Sequence, residues 1–81
     1  MNYLIQSYCI TKSKWVDEVY PSNLEEGIDS MDSLILESSD IDDIYRLIRY
    51  DNSSFPLKLL SVIKFYNHSN YQYVNFDGTM I

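Results

Sequence analysis

The amino-acid sequence predicts a small α+β domain: an antiparallel sheet from an amino-terminal strand and a carboxy-terminal hairpin, with two or three short helices from the middle of the chain. Both ends are rich in β-branched and aromatic residues, whereas the middle carries helix-start signals followed by apolar stripes. A chain of 81 residues has room for one core, so residues 1–81 are expected to form a single acidic domain.

The amino-terminal third contains one expected strand and two expected helices. Asn2 to Ile10 is apolar and β-rich without a helical period, which indicates a strand. Residues 14–20 space their apolar side chains as two turns of helix would, and Pro21 follows. Ser22 and Glu25 have the spacing of a capping box, so a short helix is expected next.

The middle of the chain contains the clearest predicted helix and, on either side of it, a segment whose secondary structure is ambiguous. Ser33 to Ser38 fits either a short buried strand or an extension of the preceding helix. Ile41, Ile44, Tyr45 and Ile48 form an apolar stripe, and this predicts the clearest helix of the chain, opened by residues 39–40 and ending within residues 51–54. Phe55 to Tyr66 shows a three-residue polar repeat typical of a helix together with a β-rich run, and both assignments stay open.

The carboxy-terminal residues predict the hairpin. Asn67 to Asn70 is a polar turn between two β-rich runs, of which the second is Tyr71 to Phe76. Asp77 and Gly78 form another turn signal, after which Thr79 to Ile81 is expected to return as a short pairing segment.

Residue types that catalysis or metal binding require are scarce. Cys9 and His68 are the single cysteine and histidine, so the usual set of about four zinc ligands is missing. A hydrolase would have to use His68, in the polar turn, as its general base, and this alternative is disfavoured. Gly27 and Gly78 are isolated and cannot form a phosphate-binding loop. We therefore expect no enzyme activity, no catalytic residues, no metal site and no cofactor.

The distribution of charge is the sharpest functional signal. The chain has 12 acids and 6 bases, and Asp17 to Asp51 alone holds eleven of those acids against Arg46 and Arg49. Helix-start chemistry and solvation explain part of this excess without any partner. A compact carboxylate surface also attracts basic proteins, because it can replace phosphates in their grooves. The residues expected to face such a partner are Glu25, Glu26, Asp29, Asp32, Glu37, Asp40, Asp42 and Asp43.

These observations favour a non-enzymatic inhibitor or immunity-type protein that occludes the basic, nucleic-acid-binding surface of a partner such as a nuclease. Phage anti-defence and toxin-neutralising proteins are of this general type, although no family motif is present. Direct binding to nucleic acid or a membrane is disfavoured, because the bases are few and dispersed. The alternative is a structural or adaptor subunit that self-associates, for example as a homodimer, or docks through an apolar edge strand or Thr79 to Ile81.

The expected compartment is the cytoplasm. Residues 1–8 lack the basic start, apolar segment and small-residue cleavage site of an export signal. No apolar stretch approaches the roughly 18 residues that cross a bilayer. A single cysteine cannot close an intrachain disulfide, which is consistent with a reducing environment.

Overall fold

The computed structural model describes residues 2–40, 43–53 and 58–67, which form four strands and one helix. In chain order they are β1 (Asn2–Cys9), β2 (Lys14–Val19), α1 (Leu24–Glu37), β3 (Ile44–Asp51) and β4 (Lys58–Asn67). The strands form an antiparallel sheet in the spatial order β2-β1-β3-β4. The α+β class is confirmed, but the described residues contain one helix rather than two or three.

Strands β1 and β2 form a β-hairpin, which confirms the amino-terminal strand and shows that the helix predicted for residues 14–20 is wrong. The Ser13 N–H donates to the Ile10 carbonyl in the loop, and Ser13 has a left-handed φ of 52°. Tyr8 and Trp15 pair across the strands, with ring centroids 5.2 Å apart. Cross-strand aromatic packing stabilises the sheet, whereas an isolated helix of six or seven residues would be unstable.

Helix α1 follows the predicted capping signal, shifted by one residue. The N-cap is Asn23, whose side-chain oxygen accepts a hydrogen bond from the Glu26 N–H at 2.8 Å. The Glu26 carboxylate in turn accepts from the Ser22 N–H at 2.9 Å. These bonds satisfy donors at the helix start as a capping box does, in place of the predicted pair of Ser22 and Glu25. The helix continues to Glu37, so residues 33–37 extend it and the strand alternative for this segment is wrong.

Residues 44–51 of the segment predicted as the clearest helix form the inner strand β3, so the helix is wrong there, and residues 41–42 lie outside the described residues. Strand β3 pairs with β1 on one side and with β4 on the other. Leu47 lies on the face that α1 covers, Ile44 and Ile48 lie on the opposite face, and none of the three is more than 3% exposed. A strand buried on both faces lacks the alternation of polar and apolar residues that identifies a half-buried strand. In β3 the apolar residues recur at a spacing that also fits a helix.

Strand β4 shows that residues 58–66 of the ambiguous segment form a strand and not a helix, whereas residues 55–57 lie outside the described residues. Its register against β3 shifts twice, and each shift leaves one extra residue in β4, Leu60 and Ile63. Both extra residues are exposed. Because a strand repeats every two residues and each bulge adds one, Lys58, Ser61 and Lys64 share one face at a spacing of three. The predicted pairing run at residues 71–76 and the terminal segment 79–81 lie outside the described residues.

Helix α1 packs against the centre of the sheet. Met31 contacts Ile5 and Leu47, and all three side chains are fully buried. Gly27 allows this close approach, since a Cβ at that position would lie 3.1 Å from Cδ1 of Leu47 and 3.3 Å from Cγ of Pro21. A glycine inside a helix lowers the stability of the helix by about 1 kcal/mol relative to alanine. The close packing of Gly27 against Leu47 and Pro21 offsets this loss. The side chains on the other side of α1 therefore point to solvent.

Candidate functional site

The solvent-facing side of α1 is acidic. The helix has five carboxylates and no basic residue. With about 100° between successive residues, these carboxylates fall outside the sector that contains the buried Gly27 and Met31. The five side chains are all exposed: Glu25, Glu26, Asp29, Asp32 and Glu37.

Two of these carboxylates bond other groups of the protein. Glu26 accepts the hydrogen bond from the Ser22 N–H, and that bond lowers the pKa of its carboxyl group below the ordinary value. Asp32 forms an ion pair with Lys64 of β4. The other three, Glu25, Asp29 and Glu37, form no ion pair within residues 2–40, 43–53 and 58–67. They are the carboxylates available to an external cation.

The remaining predicted site residues belong to the connection between α1 and β3. The Asp43 carboxylate accepts hydrogen bonds from the Ser38 hydroxyl at 2.8 Å and from the Asp40 N–H at 3.3 Å. Asp43 is half-buried, so its carboxylate mainly holds the connecting loop together. Asp40 is exposed beside it, and Asp42 lies outside the described residues. The structure thus places the helical carboxylates on one surface and gives Asp43 a local structural contact.

Arg46 does not neutralise the helix, although it lies in the acidic segment. It is only 5% exposed, and its guanidinium carbon lies 4.0 Å from the centroid of the Trp15 ring. Its Nε also donates to the Gln6 side chain at 2.7 Å. Gln6 and Arg46 pair on the sheet face opposite α1. The sheet therefore separates this cation from the solvent-facing carboxylates.

Leu36 is a candidate that the sequence analysis overlooked. It is 86% exposed, the largest value among the large apolar side chains of the described residues. Leu34, Ile35 and Leu36 are consecutive, and three consecutive helical residues cannot all face the same sheet. Leu34 and Ile35 pack against the core, which leaves Leu36 in solvent. The run of three apolar residues within a predicted helix was the signal that could have identified it.

A shallow cleft of about 360 Å³ opens at one end of the sheet, lined by Asn2, Arg49, Tyr50, Asp51 and Leu60. The Asp51 carboxylate accepts a hydrogen bond from the Ser53 N–H at 2.9 Å, and this bond lowers the pKa of Asp51. Asp51 is therefore ionised at neutral pH and is poorly suited to donate a proton. The cleft offers polar contacts without an evident acid-base pair among the described residues.

Other kinds of site have little basis in the part of the chain that the structure describes. That part contains no group of three or more His, Cys, Asp or Glu side chains that could hold a metal ion. Cys9 is half-buried, and a hydrogen bond with the Thr11 hydroxyl, 3.3 Å from its sulfur, lowers the pKa of the thiol. His68 lies outside the described residues. Within those residues, α1 has neither the length nor the apolar composition to cross a bilayer.

The strongest candidate surface is the solvent side of α1, which we call the acidic helix face and define as Glu25, Asp29, Ser33, Leu36 and Glu37. It combines three carboxylates that form no ion pair with the described residues and one protruding leucine. Charge and an apolar anchor on one rigid helix are features of a protein-binding surface. In comparisons with known proteins, no family model, no curated protein and no solved structure matches this chain.

Proposed function

We propose that the protein is a non-enzymatic inhibitor or immunity-type protein that occludes the basic, nucleic-acid-binding surface of a partner enzyme, of which a nuclease is the expected kind. The observation that carries this proposal is the acidic helix face, where Glu25, Asp29 and Glu37 are exposed and form no ion pair within the described residues. Such a surface attracts a cationic groove over long range and repels nucleic acid. The partner would lose access to its substrate because the same groove is occupied.

The density of charge limits how this surface can act. Glu25 and Glu37 are separated by about 18 Å along the helix at 1.5 Å per residue. Over that length duplex DNA carries about ten phosphates, one per 1.7 Å of axis. The helix carries five carboxylates, about half as many. The surface can therefore replace a few phosphates but not a length of duplex, and affinity must also come from other contacts.

Leu36 can supply such a contact. Binding energy at protein interfaces is concentrated in a few side chains that become fully desolvated, surrounded by a polar rim. Complete burial of a leucine side chain contributes about 1.5 to 3 kcal/mol. The matching partner surface has an apolar pocket flanked by lysine or arginine residues.

Truncation of Leu36 tests whether this side chain contributes to partner binding without contributing to the stability of the fold. We expect Leu36→Ala to weaken partner binding by about tenfold to a hundredfold. The free energy of unfolding should change by less than about 0.5 kcal/mol, because the side chain is 86% exposed. The matched control is Leu24→Ala, the same change at the start of α1, which should leave the affinity within about twofold. Calorimetric titration with the purified partner measures the affinity, and equal values for Leu36→Ala and the wild type would contradict a role for Leu36.

Competition with nucleic acid tests the proposed function itself. The immobilised protein is exposed to a lysate of its source cells and eluted with a salt gradient, beside a column carrying Glu25→Gln, Asp29→Asn and Glu37→Gln. A protein retained only by the wild type is purified and bound to a short labelled duplex. We expect the wild type to displace the duplex, and the variant with Glu25→Gln, Asp29→Asn and Glu37→Gln to displace it less effectively at the same salt concentration. A ternary complex, in which the partner holds duplex and protein together, would overturn the occlusion mechanism.

A further inference from the structure

Strand β2 lies at an edge of the sheet. It pairs with β1 on one side, and no strand of the described residues pairs with its other side. An exposed edge strand presents backbone N–H and C=O groups with which the edge of another molecule can pair. The shape of β2 therefore affects whether copies of the protein can join edge to edge.

One residue of β2 does not fit the regular pairing of the hairpin. Ile5 of β1 pairs with Val19, and the next residue of β1, Gln6, pairs with Asp17. Glu18 is therefore an extra residue in β2, and we call this irregularity the Glu18 bulge. A β-bulge interrupts the alternation of backbone groups along a strand, bends the strand and increases its twist. The outer edge of β2 is thus irregular at Glu18.

Hydrogen bonds on both faces of the sheet hold the Glu18 bulge in place. The Asp17 carboxylate accepts a hydrogen bond from the Gln6 side chain at 3.0 Å. The Glu18 carboxylate accepts one from the Ser7 hydroxyl at 2.6 Å. Gln6 and Ser7 are consecutive residues of β1, so their side chains lie on opposite faces of the sheet. The bulge is therefore a specific feature of the hairpin and not a frayed strand end.

The pairing of β1 with β2 does not require the extra residue. Without Glu18, residues 14–17 and Val19 would pair one by one with residues 5–9 of β1 in the present register. Val19 would remain on the face that α1 covers, where it packs against the buried core. The consequence of the bulge therefore lies at the outer edge of β2 and not in the hairpin.

We propose that the Glu18 bulge prevents the protein from self-associating through β2. The irregularity leaves Lys14 to Asp17 as the regular stretch of the edge, and both end residues of that stretch are charged. A short, charged edge that bends at a bulge is a poor template for a further strand. This inference concerns the free protein and does not depend on the identity of its partner.

Deletion of Glu18 tests the proposal, because the shortened chain has a regular β2 in the present register. We expect the deletion variant to self-associate at protein concentrations at least about tenfold below any at which the wild type does. Sedimentation velocity over a range of concentrations, at physiological ionic strength, measures the association. Adding Val16→Lys to the deletion variant should abolish the association, since it places a further charge on the edge.

The matched control is Glu18→Gln, which removes the same charge but keeps the extra residue. Its amide oxygen can still accept the hydrogen bond from the Ser7 hydroxyl. Glu18→Gln should self-associate no more than the wild type. Association equal to that of the deletion variant would show that the charge and not the bulge protects the edge, which would overturn the proposal.

A folded deletion variant that self-associates no more than the wild type would also overturn the proposal. The same holds for an association that Val16→Lys does not weaken, because it would involve another surface. Circular dichroism checks folding, and if the variant without Glu18 is unfolded, a variant without Asp17 replaces it, since Glu18 then pairs with Gln6 in a regular strand. Failure of both variants to fold would contradict the proposal, because the hairpin itself would then require the extra residue.

Discussion

Reversal of the three available carboxylates, Glu25→Lys, Asp29→Lys and Glu37→Lys, is expected to abolish partner binding, with the affinity falling about a thousandfold. The helix has five acids and no bases, so the triple change takes its net charge from −5 to +1. Attraction between the helix and a basic groove then becomes repulsion. The rate of association should fall, and its dependence on salt should reverse in sign.

The fold should survive these three substitutions. The altered side chains are exposed, whereas Glu26 and Asp32, which bond Ser22 and Lys64, are kept. Glu25→Lys places a cation in the first turn of α1, where the helix dipole disfavours it. Glu37→Lys places one at the other end, where the dipole favours it, so these two effects largely offset each other.

Binding kinetics at several salt concentrations, with circular dichroism as the check of folding, measure the effect. The isosteric variant Glu25→Gln/Asp29→Asn/Glu37→Gln removes the charge without reversing it. It should bind with intermediate affinity and a flatter salt dependence. Wild-type affinity in a folded triple lysine variant would show that the acidic helix face is not the binding surface.

The elements with local signals were the predictable ones. β1 is recognisable from its β-rich composition, and α1 from polar residues at its start, although the cap is Asn23 rather than Ser22. β3 was mistaken for a helix because Leu47 and Ile48 are buried on opposite faces of the sheet. Burial on both faces depends on the tertiary structure, and it removes the alternation of polar and apolar residues from which a strand is predicted.

The candidate surface was also predictable only where it depends on local sequence features. The excess of acids in α1 is visible in the sequence, but the capping pattern points to Glu25, whereas Glu26 is the glutamate that accepts the hydrogen bond at the helix start. The ion pair of Asp32 with Lys64 joins positions 32 residues apart, and no local pattern of the sequence indicates such a contact. Which carboxylates are free to bind a partner is therefore decided by tertiary contacts.

Leu47→Ala is expected to lower the free energy of unfolding by about 2 to 5 kcal/mol, the usual range for a buried leucine. A domain of this size has a total of roughly 4 to 12 kcal/mol, at 0.05 to 0.15 kcal/mol per residue. Leu47 is fully buried between Ile5 and Met31, and its Cδ1 faces Gly27 of α1. Truncation would open a cavity where the helix meets the centre of the sheet.

Urea unfolding, followed by the fluorescence of Trp15, measures the loss. Leu60→Ala is the matched control, since Leu60 is an extra, 47% exposed residue of β4 and its truncation should cost less than about 1 kcal/mol. Equal losses for the two variants would contradict the assignment of Leu47 to the core. Because α1 carries the acidic helix face, Leu47→Ala should weaken partner binding only by reducing the folded fraction. Its affinity should therefore approach the wild-type value in a stabilising osmolyte, whereas that of the triple lysine variant should not.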